Sequence, residues 1–315
     1  MNMLKKFIRK IFSPINAETN HNLKRQNLIN QMEFDNIKIN QGLILSKLNM
    51  QNQSEIIKDI KKSEFKIFSQ WGDDGIIDFL VNYLDIVDTR FVEFGVESYT
   101  ECNTKFLLMS KNWKGLIMDG SSDNMNSLKR SELYWKYNIK ALDVFITKEN
   151  INQLLSENGF SGEIGIYHID IDGNDYWIWK ETTAVNPIIV IVEYNAIFGY
   201  DKPHTIPYKK DFYRTNEHFS NLYYGTSLLS LCDLAEEKGY YFIGCNSNGN
   251  NAYFVRKDKI KNILPKTAKE GFIESRFSES RDKEGNLNFL RDKEKMKSLE
   301  GMEVINTRTN KTELL

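Results

Sequence analysis

The sequence predicts an α/β fold. The expected form is a mostly parallel sheet with helices on both faces, closed by a C-terminal antiparallel hairpin and preceded by an N-terminal helical arm. Three observations predict it. First, four short apolar runs have strand length: "FVEFGV" (91–96), "KGLIMDG" (114–120), "GIYHIDID" (165–172) and "IIVIVEY" (188–194). Second, segments near 101–112, 122–135, 148–158 and 174–184 separate them and read as helices. Strand-helix alternation of this kind specifies parallel strands joined by crossovers. Third, a helical segment at 227–240 leads into "YYFIGCN" (240–246) and "NAYFVRK" (251–257), joined by "SNGN". Asn and Gly there supply the positive φ of a hairpin turn.

Taken in order, residues 1–62 form the arm. "MLKKFIRKIF" places Leu4, Phe7, Ile8, Ile11 and Phe12 at helical spacing beside Lys5, Lys6, Arg9 and Lys10. A basic amphipathic helix over residues 3–12 suits an anionic membrane surface, or docking on its own domain or a partner. Pro14 is expected to end it. Residues 20–62 are rich in Asn and Gln and read as helical. Ile37, Ile44 and Leu48 lie on one stripe, which suggests an arm that pairs subunits into a homo-oligomer. Residues 63–257 hold the α/β domain. Residues 258–315 are charged and are expected to pack outside it, as helices or as a mobile extension. Arg276 and Arg281 there read as a solvated face or as a clamp for phosphate or carboxylate.

Composition narrows the function. The 315 residues are 41% hydrophobic and carry a net charge of −1, so no global field favours nucleic acid. Three scattered cysteines and four histidines define neither a disulfide framework nor a thiol metal site. No apolar run reaches the roughly 20 residues of a membrane span. The N-terminus lacks a secretory apolar segment. The expected location is cytoplasmic, at most at the inner face of the membrane.

Ligands of an open α/β sheet bind outside the carboxyl ends of its strands, and the acidic residues cluster there. In "FVEFGVESYTECNT", Glu93 ends a strand, Gly95 allows a tight turn, and a helix starts near Glu101 or Cys102 with free N–H groups for a polar ligand. Glu97 and Ser98 replace further glycines. The charge of Glu97 opposes a pyrophosphate and suits a cationic ligand. Asp119, 26 residues after Glu93, sits where a ribose-binding acid belongs, or simply caps a helix. Asp143 ends a third strand, either beside an adenine or as a plain loop acid.

"YHIDIDGNDYWIW" (167–179) gathers Asp170, Asp172 and Asp175 at a fourth strand end. Unpaired burial would be costly, so these carboxylates need partners: substrate hydroxyls, a cation or an amino group. The fifth strand adds Glu193 and Asn195. Asp172, Glu193 and Asn195 have the oxygen ligands for one divalent metal such as Mg²⁺, or serve as base and substrate clamp without metal. Asn174 or Asp175 reads as the cap of the helix carrying Trp177 and Trp179. His168 reads as a hydrogen-bonded core imidazole.

In their order and spacing, "FVEFGVESYTECNT", "GLIMDGS", "HIDIDGNDYWIW" and "IVIVEYN" make residues 65–257 resemble a class I S-adenosylmethionine-dependent methyltransferase. The likeness is to the FkbM-like group found among bacterial capsule and surface-polysaccharide enzymes. Asp170, Asp172, Gly173 and Asp175 occupy that group's Asp-x-Glu-Gly-x-Glu hallmark, with Asp replacing Glu twice. The resemblance implies a Rossmann-like methyltransferase sheet with a terminal antiparallel strand. It implies S-adenosylmethionine as cofactor and methyl transfer to a hydroxyl of a sugar, nucleotide sugar or glycan. Carried onto this chain, it assigns the cofactor to Glu93, Gly95, Asn103, Asp119, Gly120, Asp143 and Asp170. Catalysis falls to Asp170, Asp172, Glu193 and Asn195. The aromatic segment 198–225, broken by Pro203 and Pro207, reads as a lid over the acceptor or as a packed irregular connection.

Two other classes remain open. "DIDGND" is similar to the Asp-x-Asp motif of Mg²⁺-dependent phosphatases of the haloacid-dehalogenase type, although that motif normally ends the first core strand. A methyltransferase-like fold can also serve as a non-catalytic binding subunit.

Overall fold

The apolar runs form strands because β-branched and aromatic side chains fill both faces of a covered sheet. In the computed structural model, which describes residues 2–291 and 293–315 and all their side chains except 2–18, 20, 21, 24 and 28, ten strands are present. They are β1 (Arg90–Phe94), β2 (Lys114–Asp119), β3 (Ile139–Asp143), β4 (Gly162–Ile169), β5 (Val185–Glu193), β6 (His204–Thr205), β7 (Tyr240–Cys245), β8 (Asn251–Arg256), β9 (Glu303–Asn306) and β10 (Lys311–Leu314). Seven make the main sheet in the order β3-β2-β1-β4-β5-β8-β7. β1 to β5 are mutually parallel, while β8 runs antiparallel to both β5 and β7. This is a Rossmann-like sheet closed by an antiparallel hairpin.

Chain order reverses between β1 and β4. The connections on either side of that point leave on opposite faces, which opens a crevice at the strand tips. Two apolar layers cover the sheet. One holds Ile77, Phe79 and Leu80 of the helix Asp73–Tyr83 against Phe91, Ile166 and Ile191. The other holds Trp179 and Leu231 against Tyr167, Val190 and Phe254. Each fully buried side chain of this size stabilises the fold by about 1.5–3 kcal/mol, so the strand tips stand on a rigid base.

The arm departs from expectation. One helix runs from Asn2 to Gln51, so Pro14 does not end it. The side chains of residues 3–12, read as a face for a membrane surface, the domain or a partner, lie outside the described residues. Among the described residues no helix is long and apolar enough to cross a membrane. Nor does packing break near residue 62, because Ile56 and Ile60 are 1% exposed inside the first apolar layer. Gly42 allows the long helix to seat on the domain: a Cβ there would lie 2.6 Å from the Phe106 ring.

The charged C-terminal extension is also built differently from expectation. Its last strands, β9 and β10, pair as a hairpin, and β9 adds β6 to a second, three-stranded sheet. Val304 and Leu299 are buried there against Phe198, Ile206, Phe212 and Tyr224 of the aromatic segment. That segment is thus a packed unit pinned by the C-terminus.

Candidate active site

The registers align the tips of the parallel strands in one row. Asp119 of β2 pairs with Asp143 of β3, and Gly95 follows the Phe94–Met118 pair of β1 and β2. Asp170 and Glu193 lie one step beyond the Ile169–Val192 pair of β4 and β5, and Glu193 pairs with Asn251 of β8. Across the edge the row therefore reads Asp143, Asp119, Gly95, Asp170, Glu193, Asn251. The strands bring four carboxylates to one rim, with glycine at the central strand beside the switch point.

Gly95 is required by space and by conformation. Its φ is +64°, and a Cβ would lie 1.7 Å from the Asp170 carbonyl oxygen. The turn after it is strained, with Glu97 at φ +46° and Tyr99 at φ +58°. Non-glycine residues held there cost about 1–3 kcal/mol each and persist where the surroundings over-determine them. Here Asp119 Oδ2 accepts the Glu97 N–H at 2.8 Å, while Asp119 Oδ1 accepts Ser121 N–H at 2.8 Å. Each oxygen keeps a free lone pair at a partly exposed tip, an acceptor pair suited to vicinal hydroxyls. Gly120 follows, and a Cβ on it would meet the Phe145 ring at 3.3 Å. Phe145 is 46% exposed just past β3 and offers an apolar face for an adenine. It escaped the sequence reading because a single Phe after a strand has no distinguishing pattern. Asp143 accepts the Ser122 hydroxyl at 2.5 Å and is otherwise exposed.

Glu93 turns inward instead of facing the rim. It is 2% exposed. Its Oε1 accepts Asn103 N–H at 2.8 Å, and its Oε2 accepts Thr104 N–H at 3.2 Å and the Thr104 hydroxyl. The free N–H groups expected for a ligand at this helix start are consequently taken by a buried carboxylate. His168 completes the network, its Nδ1 lying 3.0 Å from Glu93 Oε1 and its Nε2 3.2 Å from Asn103 Nδ2. With the Asn103 amide donating to Nε2, the ring proton sits on Nδ1. Burial opposes charge on this imidazole, but the hydrogen bond and charge of Glu93 outweigh it and raise its pKa. Glu93, Asn103 and His168 shape the turn from below.

At the fourth tip the carboxylates divide by role. Asp175 is fully buried and bridges the turn, accepting Ile171 N–H and Gly173 N–H at 2.9 Å each. Asn174 instead ties the aromatic segment, donating to the Lys209 carbonyl at 2.8 Å. Gly173 is forced by packing, because a Cβ would lie 2.3 Å from the Phe212 ring. Asp172, at φ +54°, points outward and accepts Arg214 Nη1 at 2.6 Å.

Glu193 differs from all of these. It is 7% exposed, and its Oε2 is buried with no hydrogen-bond partner. Burial raises its pKa well above the carboxylate range, and the charges of Asp170, Asp172 and Asp175 add to the effect, while Arg214 opposes it. Asp170 is raised in the same way, by burial and then by Asp172. Asn251 Oδ1, on the paired strand, is also buried without a donor. These acceptors call for a ligand that brings donors or positive charge.

Two sequence assignments need correction. Asn195 is not free for acceptor or metal. Its amide donates to the Leu222 and Tyr224 carbonyls at 2.9 Å each, and its Oδ1 accepts Ile197 N–H at 3.0 Å. Nor do Asp172, Glu193 and Asn195 form a metal site, because one is held by arginine, one is buried and one is spent on backbone. Among the described residues no group of three or more His, Cys, Asp or Glu side chains is placed to hold a metal ion.

Arg214, which the sequence reading passed over, links the aromatic segment to this edge. It pairs with Asp172, donates from Nε to the Asn221 carbonyl at 2.7 Å, and lies 3.9 Å above the Tyr224 ring. Burial opposes its charge, but Tyr224, Asp172 and Glu193 outweigh this and raise its pKa.

No protein-family model matches the chain, and no curated protein matches it. Among solved structures it is similar to the N-terminal domain of EvdMO1 with SAH bound. That likeness covers 66% of this chain and 94% of the other, at 10% identity and a TM-score of 0.39. A putative O-methyltransferase from Klebsiella pneumoniae is similar over 58% of this chain and 79% of its own, at 10% identity and a TM-score of 0.35. The methyltransferase domain of bacterial CtHen1-C is similar over 58% and 98%, at 15% identity and a TM-score of 0.35.

Proposed function

We propose that this chain is an S-adenosylmethionine-dependent O-methyltransferase acting on a hydroxyl of a sugar, nucleotide sugar or glycan of the bacterial cell surface. The observation that carries the reading is Glu193, a buried carboxylate without a hydrogen-bond partner, set beside Asp170 at the switch-point rim. The residues present suit the cofactor. Asp119 has spare acceptors for ribose hydroxyls, Phe145 offers a face to adenine, and the rim is acidic enough to favour a cation.

When bound, the cofactor supplies an already electrophilic methyl group, so the chain has to align the acceptor oxygen and remove its proton. Glu193 is the base in this reading. Without a ligand, burial and its acidic neighbours hold its pKa well above the carboxylate range. A positive charge at the rim lowers its pKa again, so the carboxylate forms as the site fills. Asp170 lines the boundary between cofactor and acceptor. The Arg214–Asp172 pair holds the aromatic segment over the acceptor side, where Tyr faces suit a sugar ring. Glu93 supports the cofactor turn through its backbone, and Asn195 holds the lid.

The test is mass spectrometry of nucleotide sugars and glycans incubated with the chain and S-adenosylmethionine, read as a methyl-sized mass gain. Glu193→Gln should lower the rate by about 10²–10⁴-fold while cofactor affinity stays within a few-fold by calorimetry. Absence of cofactor binding at millimolar concentration, or full activity in Glu193→Gln, would defeat the proposal. Turnover of phosphate esters with Mg²⁺, abolished by Asp170→Asn, would replace it with the phosphatase reading.

A further inference from the structure

The long helix carries an apolar seam that its own domain leaves uncovered. Leu23, Phe34, Ile37, Ile44 and Leu48 are between 47% and 62% exposed. They fall on positions that alternate by four and three residues, with Asn27, Asn30 and Gln41 at the remaining places. That spacing is the heptad of a supercoiled pair; Ile29, Met32, Leu43 and Leu45, less exposed at 37–41%, lie off it. The domain occupies a different face of the helix, where Gly42 and Ser46 are buried and Asn49 donates to the Ser63 carbonyl at 2.7 Å. The seam spans about 40 Å at 1.5 Å per residue.

We infer that this seam pairs in parallel with the same seam of a second copy of the chain. Two features select that occupant. In a parallel pair Glu33 and Lys38 flank the seam at positions where the glutamate of one copy faces the lysine of the other, twice by symmetry. In-register pairing also sets Asn27, Asn30 and Gln41 against their own counterparts, so each seam amide meets a hydrogen-bonding partner. A membrane surface would leave those amides without that exchange. Both catalytic domains then sit at one end of the paired helices.

The test is sedimentation equilibrium of the full chain at micromolar concentration. The expected result is a mass above that of one chain, reduced to one chain by the double change Ile37→Glu with Ile44→Glu. Both positions are exposed, so the domain's melting temperature should stay the same. Glu33→Lys should weaken association by about tenfold, and adding Lys38→Glu should restore it. A single-chain mass up to about 100 µM would overturn the inference. So would a double variant that still associates, or a charge exchange that fails to rescue. Binding of the unpaired chain to anionic vesicles, lost in the double variant, would assign the seam to a membrane instead.

Discussion

Glu193 and Glu93 show how one residue type takes opposite roles two strands apart. Glu93 meets three donors and an imidazole, so its charge is settled inside the fold. Replacing it with alanine strands His168 and the Asn103 and Thr104 amides, which should cost about 3–5 kcal/mol in urea unfolding. A loss below about 1 kcal/mol would mean that the network does not support the turn. Glu193 has a raised pKa, as do Asp170, His168 and Asp74, the last raised to about 6 chiefly by burial. For each, the native state binds its proton more tightly than the unfolded chain. Their stability contribution is full below the unfolded values and is lost as pH rises through the native ones. The melting temperature of the free chain should therefore fall between about pH 5 and pH 8, and Glu193→Gln should flatten that slope. Scanning calorimetry across the range checks it, and an unchanged slope would show that the native fold does not raise the pKa of Glu193.

At the scale of elements, the turn after β1 and the aromatic segment frame the site from two sides. Gly95→Ala sets a methyl group into the Asp170 carbonyl and forces a positive φ on alanine. It should destabilise the chain by about 3 kcal/mol or more, measured by chemical unfolding. On the other side, Arg214 combines an ion pair, a carbonyl contact and a ring stack, which lysine cannot reproduce together. If the segment positions the acceptor as proposed, Arg214→Lys should raise the acceptor KM about tenfold, with less change in kcat. An unchanged KM in steady-state assays would detach the segment from acceptor binding. Asn195→Ala should act on stability, at about 2–4 kcal/mol, because two hydrogen bonds to the same segment and one from Ile197 N–H disappear.

For the whole molecule, apolar runs and their alternation with helices determined the sheet, its parallel sense and its terminal hairpin, because period and length are local properties of a chain. The position of acidic residues at strand ends was equally legible: Asp119, Asp143, Asp170 and Glu193 all stand at the predicted edge. Tertiary structure alone decided which of the acids are free. Glu93 and Asp175 are spent on backbone N–H groups, Asp172 on an arginine 42 residues away, and Asn195 on carbonyls 27 and 29 residues away. Asp175 meets N–H groups only two and four residues back, but the partners of Glu93, Asp172 and Asn195 are brought in by chain folding, and no local spacing encodes them. The hairpin of β9 and β10 is a similar case, since short polar strands acquire their identity only by pairing with β6. A carboxylate's chemistry depends on its burial and its donors. Those are set by packing between distant segments, so the sequence could place the acids at the rim while only the folded chain could single out Glu193.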